Sequence, residues 1–337
     1  MKKLIRIIVA LLTFGGLYSC DVHELPEGET RITVALNLKF DTSLPLYKTV
    51  DYNTKADYPA WQTRYVVKLF KYSSSTYNLT PDYSFVVTSA DLSKLDHSVY
   101  LMAEAANYRV VVWTDFVPAG TQDDYFYDTS NFSEITLKGS YAGNEPMRDC
   151  FYGSADLEMA ELLNYDSSFE ADIQLSRPIA KFNFVSTDRD KFIDYWIQQS
   201  AIMNGSMVKI ERSQVDLGKF HVRFVYPQFL PNTFNLHNDR PVDSATGVRF
   251  TAPMTVLEDG NVDLGFDWVF VNPTESKVVV SLEIFDQNNN YISTISNIEV
   301  PLMRSQQTTV KGNILTNGLN NGVSIDPTYD GEFTIMI

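Results

Sequence analysis

The sequence predicts a mainly all-β chain built from antiparallel sandwiches, and three observations carry that prediction. Short segments with alternating apolar and polar residues recur from Thr30 to the C-terminus; this is the period of a strand with one buried face. Aromatic residues make up 13% of the chain, with 19 Tyr and 21 Phe, which suits pleated, half-buried surfaces. The strand-like segments follow one another through turn signals, without the βαβ rhythm that builds a parallel sheet. At 337 residues the chain is long enough for two domains of ordinary size.

Residues 30–40 alternate throughout. Ile32, Val34, Leu36, Leu38 and Phe40 share one face, and Arg31, Thr33, Asn37 and Lys39 share the other. Residues 41–60, with Pro45 and Pro59, read as a long polar loop. Strands are expected at 64–72, 83–89, 108–114, 132–137 and 149–157. One short helix is expected between Ser89 and Leu101, and a helical turn at 159–165. Residues 169–175 alternate again, Ser176-Arg177-Pro178 interrupts them, and 179–186 continues extended. Proline cannot donate to a sheet ladder, so a domain boundary is expected near Ser176, dividing an N-terminal domain (30–175) from a C-terminal one (176–337).

The second half carries the one convincing helix. Thr187, Asp188 and Asp190 supply a cap and N-terminal acids. Phe192, Ile193, Trp196, Ile197 and Ala201 form an apolar face at helical spacing, and Asn204-Gly205 ends it. Strands then return. Phe220, Val222, Phe224 and Tyr226 share a face. Val262, Leu264, Phe266, Trp268 and Phe270 share another, opposite Asp263, Gly265 and Asp267. Residues 277–286 and 291–300 read as a hairpin around 287–290, and 307–315 and 332–337 as the last strands. Residues 235–247 read as a polar loop whose Asp239 and Asp243 offer oxygen ligands for calcium, without the spacing of an EF-hand.

The N-terminus sets the compartment. Lys2, Lys3 and Arg6 precede an apolar run from Leu4 to Leu17, the layout of a secretory signal, and the run is short for a spanning helix. It ends in Leu17-Tyr18-Ser19-Cys20, which resembles a bacterial lipoprotein signal, although Tyr18 is bulky for its position. The expected consequence is cleavage after residue 19 and acylation of Cys20 (palmitate among the chains), anchoring the chain to a membrane. Each buried methylene contributes about 0.8 kcal/mol, and stable anchoring takes more than one chain. Residues 20–29 are acidic, with Pro26 and Gly28, and read as a tether. They also resemble the surface-export signals of some anaerobic diderm bacteria.

Charge and composition narrow the functions. The net charge is -15, and loss of Lys2, Lys3 and Arg6 with the signal makes the mature chain more acidic. Nucleic-acid binding needs a basic footprint and is not expected; a self-repelling surface protein is. With Cys20 acylated, Cys150 has no disulfide partner and is read as a small buried hydrophobe. His23, His97, His221 and His237 lie at no metal-ligand spacing. No P-loop, nucleophile elbow or dinucleotide fingerprint is present. No cofactor, metal or catalytic residue is therefore expected, and the chain is expected not to be an enzyme. Asp123-Asp124-Tyr125-Phe126-Tyr127-Asp128 combines acids with aromatics. Tyr125 and Tyr127 either form a ligand-contact loop for a glycan or host protein, or pack back onto the sandwich.

Seven stretches resemble a known family. They are residues 20–26 (Cys20-Asp21-Val22-His23-Glu24-Leu25-Pro26), 108–115 (YRVVVWTD), 151–154 (Phe151-Tyr152-Gly153-Ser154), 175–184 (LSRPIAKFNF), 226–236 (YPQFLPNTFNL), 264–270 (LGFDWVF) and 300–316 (VPLMRSQQTTVKGNILT). In this order they are similar to the fimbrillin-like lipoproteins of type V pili, in particular an uncharacterised branch of these surface proteins. The resemblance implies two tandem transthyretin-like sandwich domains and attachment to the outer membrane. In pilus shaft subunits of that family, an arginine-specific protease removes a leading segment with the first strand. The groove so opened accepts a donor strand from the next subunit. Cutting at Arg31 removes no strand here, whereas Arg64 follows the first strand and is the candidate maturation site. Residues 332–337 are the candidate donor. Equally, Arg64 begins an ordinary strand and 332–337 completes its own domain, which leaves the chain uncleaved and membrane-held. The expected function is a lipid-anchored outer-membrane, surface-exposed protein serving as pilus anchor, accessory subunit or adhesin. Its partners would be other pilus subunits through strand addition, or a host protein or glycan. The alternative is a surface glycan-binding lipoprotein.

Overall fold

The computed structural model describes residues 31–41, 43–44, 60–92, 96–162, 168–203, 210–317, 326–328 and 333–336. The expected signal and tether, Cys20 included, lie outside the described residues. The N-terminal half supplies β1 (Arg31–Phe40), β2 (Trp61–Ser73), β3 (Thr76–Tyr77), β4 (Tyr83–Ser89), β5 (His97–Glu104), β6 (Asn107–Pro118), β7 (Tyr127–Asp128), β8 (Ile135–Leu137), β9 (Cys150–Glu158) and β10 (Ser168–Leu175). The rest begins with β11 (Ile179–Ser186), helix α1 (Arg189–Met203), β12 (His221–Val225), β13 (Leu230–Asn235), β14 (Arg240–Ala245), β15 (Arg249–Pro253) and β16 (Thr255–Val256). It continues with β17 (Val262–Phe270), β18 (Ser276–Phe285), β19 (Tyr291–Leu302), β20 (Gln307–Gly312), helix α2 (Ile314–Asn317), β21 (Asp326–Thr328) and β22 (Phe333–Met336). The protein is mainly β, as its alternation predicts.

The buried side chains form two cores. The first lies between sheet β10-β1-β5 and the sheet built from β2, β6 and β9 with β3 and β4. The second lies between sheet β16-β17-β11-β20-β22-β21 and sheet β15-β12-β18-β19, with Phe192, Ile193 and Trp196 of α1 packed in. A fifth sheet, β14-β13-β8-β7, takes strands from both halves of the chain. Most pairs are antiparallel, but β1–β10, β11–β20 and β20–β22 run parallel. Tyr152 and Ser176 exchange backbone hydrogen bonds of 2.9 Å where β9 meets the end of β10. There Gly153 is required by space, because a Cβ would stand 2.3 Å from the Gln174 carbonyl oxygen.

Several elements depart from the sequence reading. No helix lies between Ser89 and Leu101 among the described residues; β5 is there instead, with Val99, Leu101 and Ala103 turned inward. Its residues include good helix formers, and pairing with β1 overrides that propensity. The turn at Met159 closes with a 3.1 Å bond from the Leu162 amide, and residues 163–167 lie outside the described residues. Residues 235–247 are mostly strand, because β14 pairs with β13, and Asp239 contacts Tyr152 and Arg304. The strand expected through 315 stops at Gly312. The carboxylate of Asp188 accepts from the Thr316 amide at 2.7 Å and the Leu315 amide at 3.3 Å, so the predicted cap of α1 caps α2.

The largest departure is in β17. Its five apolar residues do not share a face. Val262 and Leu264 enter the second core, whereas Phe266, Trp268 and Phe270 enter the first. A bulge reverses the faces: pairing slips between Phe184 and Val185, and Gly265 has φ +114°. An extra residue there flips every side chain beyond it, so one strand serves both cores.

Lys181 on β11 is 7% exposed, its ammonium 4.4 Å from the Phe266 ring centre. Burial lowers it from 10.5 to about 8, against the pull of Asp149 and Asp263. The unfolded chain therefore holds the extra proton between those values, and the contribution of Lys181 to stability rises as pH climbs from about 8 towards 10.5. The buried Cys150 thiol acts in the opposite sense above its ordinary range, so the rise is read as a difference: across this range the urea midpoint of the native chain should gain on that of Lys181→Met.

Candidate functional site

β1 is the middle of its sheet. Arg31 to Leu38 pair antiparallel with β5, and Thr33 to Phe40 pair parallel with β10. Ile32, Val34 and Leu36 are fully buried, and the Phe40 ring stands 4.9 Å from Phe151 and 6.3 Å from Tyr65. On the outer face the Asn37 amide donates to Glu170 at 2.6 Å and accepts from Ser98 at 2.9 Å, and Lys39 pairs with Asp172. The slot occupied by β1 thus selects its strand in two ways. Two flanking ladders take the backbone, and alternate pockets take the apolar side chains.

Arg64, the candidate maturation site, lies inside β2 rather than at its start. It is 1% exposed. Its Nε and Nη2 donate to the two Asp115 oxygens at 2.8 and 2.6 Å, and Nη1 donates to Asp124 at 2.6 Å and to the Gln122 carbonyl at 3.2 Å. Trp113 Nε1 donates to the same Asp115 at 3.1 Å. The arrangement is a bidentate fork with a second carboxylate beside it. Burial pushes the Asp124 carboxyl up, but hydrogen bonds from Thr129 and the Arg64 charge outweigh it and hold the group below the usual value. The backbone around Arg64 is paired with β6 on one side and β4 on the other.

The two tyrosines of the acidic-aromatic loop part company. Tyr125 is 46% exposed, its ring edge-on to Trp61 at 5.5 Å and Phe126 at 4.7 Å. Tyr127 is fully buried, donates its hydroxyl to the Arg148 carbonyl and packs 5.1 Å from Trp113. Tyr127 opens β7, and its pairing with β8 turns the ring inward. Of the two tyrosines, Tyr127 packs back onto the sandwich and Tyr125 stays exposed.

Elsewhere, titratable groups serve packing. Cys150 is buried, and burial pushes its thiol well up. His221 stacks on Phe285 at 5.2 Å, and His237 sits 4.8 Å from Phe70. Among the described residues, no group of three His, Cys, Asp or Glu comes together as a metal site. No helix of the described residues is long and apolar enough to cross a membrane. The sequence reading missed three buried charge clusters: Arg64 with Asp115, Arg148 with Asp267, and Arg177 with Asp149. One signal was available, a lone charge within an apolar strand, as at Asp267 among Phe266, Trp268 and Phe270.

A family described as "Family of unknown function (DUF6562)" matches residues 27–337. No curated protein matches the sequence. Among solved structures, a candidate adhesin from Bacteroides thetaiotaomicron VPI-5482 is similar at 12% identity, covering 81% of this chain and 82% of that one, with a TM-score of 0.43. The fimbrial anchor protein Mfa2 from Porphyromonas gingivalis is similar at 12% identity, covering 79% and 82%, with a TM-score of 0.40. A candidate cell adhesion protein from Bacteroides eggerthii DSM 20697 is similar at 10% identity, covering 93% and 95%, with a TM-score of 0.42.

The Arg64–Tyr65 bond should resist an arginine-specific protease in the native protein, while exposed Arg212 and Arg240 are open to it. Asp115→Asn together with Asp124→Asn leaves the buried guanidinium with no carboxylate partner, at a cost of about 3–5 kcal/mol, and should open the bond. N-terminal sequencing of the fragments reads the outcome; a Tyr65 start from untreated native protein contradicts it.

Proposed function

We propose that this chain, which belongs to the DUF6562 family of unknown function, works as a lipid-anchored protein of the outer cell surface. In this reading it is non-enzymatic, serves as a pilus anchor or accessory subunit or as an adhesin, and keeps its N-terminus. The observation that carries the reading is the short sequence distance from Cys20 to a clamped strand: the stretch that resembles a lipoprotein signal ends at Cys20, and β1 begins at Arg31 as the central strand of its sheet. A lipid at Cys20 thereby holds the whole first core.

Two further features support it. Arg64 is enclosed by carboxylates and paired backbone, which favours retention of β1. Three buried arginines are matched to buried aspartates, Arg64–Asp115, Arg148–Asp267 and Arg177–Asp149; such pairs serve structure rather than proton transfer. The pilus setting comes from the sequence resemblance, and there strand addition is the means of joining subunits. β22 lies parallel beside β20, so in this reading the C-terminal strand completes its own sheet and other edges meet partners. The glycan-binding alternative built on Tyr125 and Tyr127 loses its platform, because Tyr127 is buried.

Intact mass and N-terminal analysis of protein extracted from its native membrane test the proposal. Acylated Cys20 is the expected start, and Cys20→Ala should move the protein to the soluble fraction, since the acyl chains supply the membrane affinity. A lipid-free start at Tyr65 would replace this reading with a polymerising shaft subunit.

A further inference from the structure

A groove between α1 and the β18–β19 turn lies outside the anchoring surfaces described above. One wall is the last part of α1, with Tyr195, Gln199 and Ser200; the other is the turn, with Gln287, Asn288 and Tyr291. Spacings of four residues place Tyr195 with Gln199, and Trp196 with Ser200, on one side of the helix. Trp196, 8% exposed, backs the groove. The volume is about 230 Å³, below the ~300–1,000 Å³ that encloses a drug-sized molecule. It suits one ring of a longer ligand.

The turn wall is built in advance. Asp286, 6% exposed, accepts from the Asn288 and Asn290 amides at 2.8 Å each and from the Asn290 side chain at 3.0 Å. Asn289 takes the left-handed conformation, φ 64°. The turn therefore needs little ordering when something binds. Both oxygens of this carboxylate are engaged by amides inside the turn, and Asp286 is the one charged side chain of the lining. On the outer side of the helix, Asp194 is matched by Arg212.

What the lining does present is uncharged and polar. Among the described residues, the side-chain amides of Gln199, Gln287 and Asn288 and the Ser200 hydroxyl take no protein partner. Each amide offers a donor beside an acceptor, the pattern that meets two neighbouring hydroxyls. Tyr291 is 57% exposed, with its ring fixed edge-on against Phe285 at 6.0 Å. An exposed aromatic face over amides suits a ring that is apolar on its C–H face and hydroxylated at its rim. We propose that this groove binds a neutral saccharide, holding one sugar unit of a glycan chain. The inference does not depend on how the protein is anchored.

Saturation-transfer NMR on the full mature chain with Cys20→Ala tests it, with maltohexaose, xylohexaose and tetra-N-acetylchitotetraose as neutral probes and a sialylated trisaccharide as the charged one. At least one neutral probe should receive saturation at concentrations up to about 1 mM. Tyr291→Ala and Gln199→Ala should each weaken that probe's binding about tenfold or more, equal to roughly 1.4 kcal/mol, and Tyr125→Ala should leave it unchanged. Both groove side chains are at least partly exposed, and a circular dichroism melt confirms that the variants are folded. No transfer to any neutral probe, transfer to the sialylated probe alone, or binding unaffected by both groove variants would overturn the proposal.

Discussion

Two consecutive residues hold the two cores together. Arg148 donates to Asp267 at 2.8 Å, to the Ala142 carbonyl at 2.8 Å and to the Trp268 carbonyl at 3.0 Å. Asp149 accepts the Nε and Nη2 of Arg177 at 2.7 and 2.8 Å. Tyr141 and Tyr226 donate to the same Asp267; burial pushes both phenols well above their ordinary range and keeps them protonated as donors. Arg177 also lies 4.4 Å over the Phe151 ring and reaches the Leu44 carbonyl at 2.7 Å. Pairs of this kind add little net stability, because desolvation offsets the attraction, but removing one partner leaves the other charged and buried. They therefore fix geometry. The start of β9 can meet β17 and the lead into β11 in only one register, and both cores are built around that meeting.

The fold was legible where local pattern and final environment agree. β1, β4, β11, β17 and α1 were all visible as alternation or helical spacing. β14 was not, because Arg240–Ala245 is mostly exposed on both faces and is held by backbone pairing with β13, which leaves no side-chain signature. The face reversal in β17 was hidden for a related reason: alternation shows that a strand has two faces, and only the bulge at Gly265 decides which core each serves. Two of the parallel pairs, β1–β10 and β11–β20, bring together residues 133 and 124 apart in the chain, such as Lys39 with Asp172 and Asn183 with Gln307, beyond any local reading.

The same holds for the candidate sites. Arg64 was visible as an arginine after the first strand, but its enclosure depends on Asp115 and Asp124, 51 and 60 residues away. Tyr125 and Tyr127 looked equivalent in sequence because both are aromatic residues beside acids; the two-residue strand that begins at Tyr127 separates them. The groove beside α1 was invisible because its walls come from segments separated by most of the C-terminal half, each ordinary when read alone.

The position of β1 also governs how the protein carries load. A pull on the residues before Arg31 acts along the strand axis, whereas its hydrogen bonds to β5 and β10 run across that axis. Such a pull shears both ladders together, so the bonds share the force and must yield as a group rather than open one by one. The outward-facing Lys39–Asp172 and Asn37–Glu170 contacts add resistance to sliding in the same direction. Force entering the fold at Arg31 thus meets two ladders side by side before it reaches the rest of the first core.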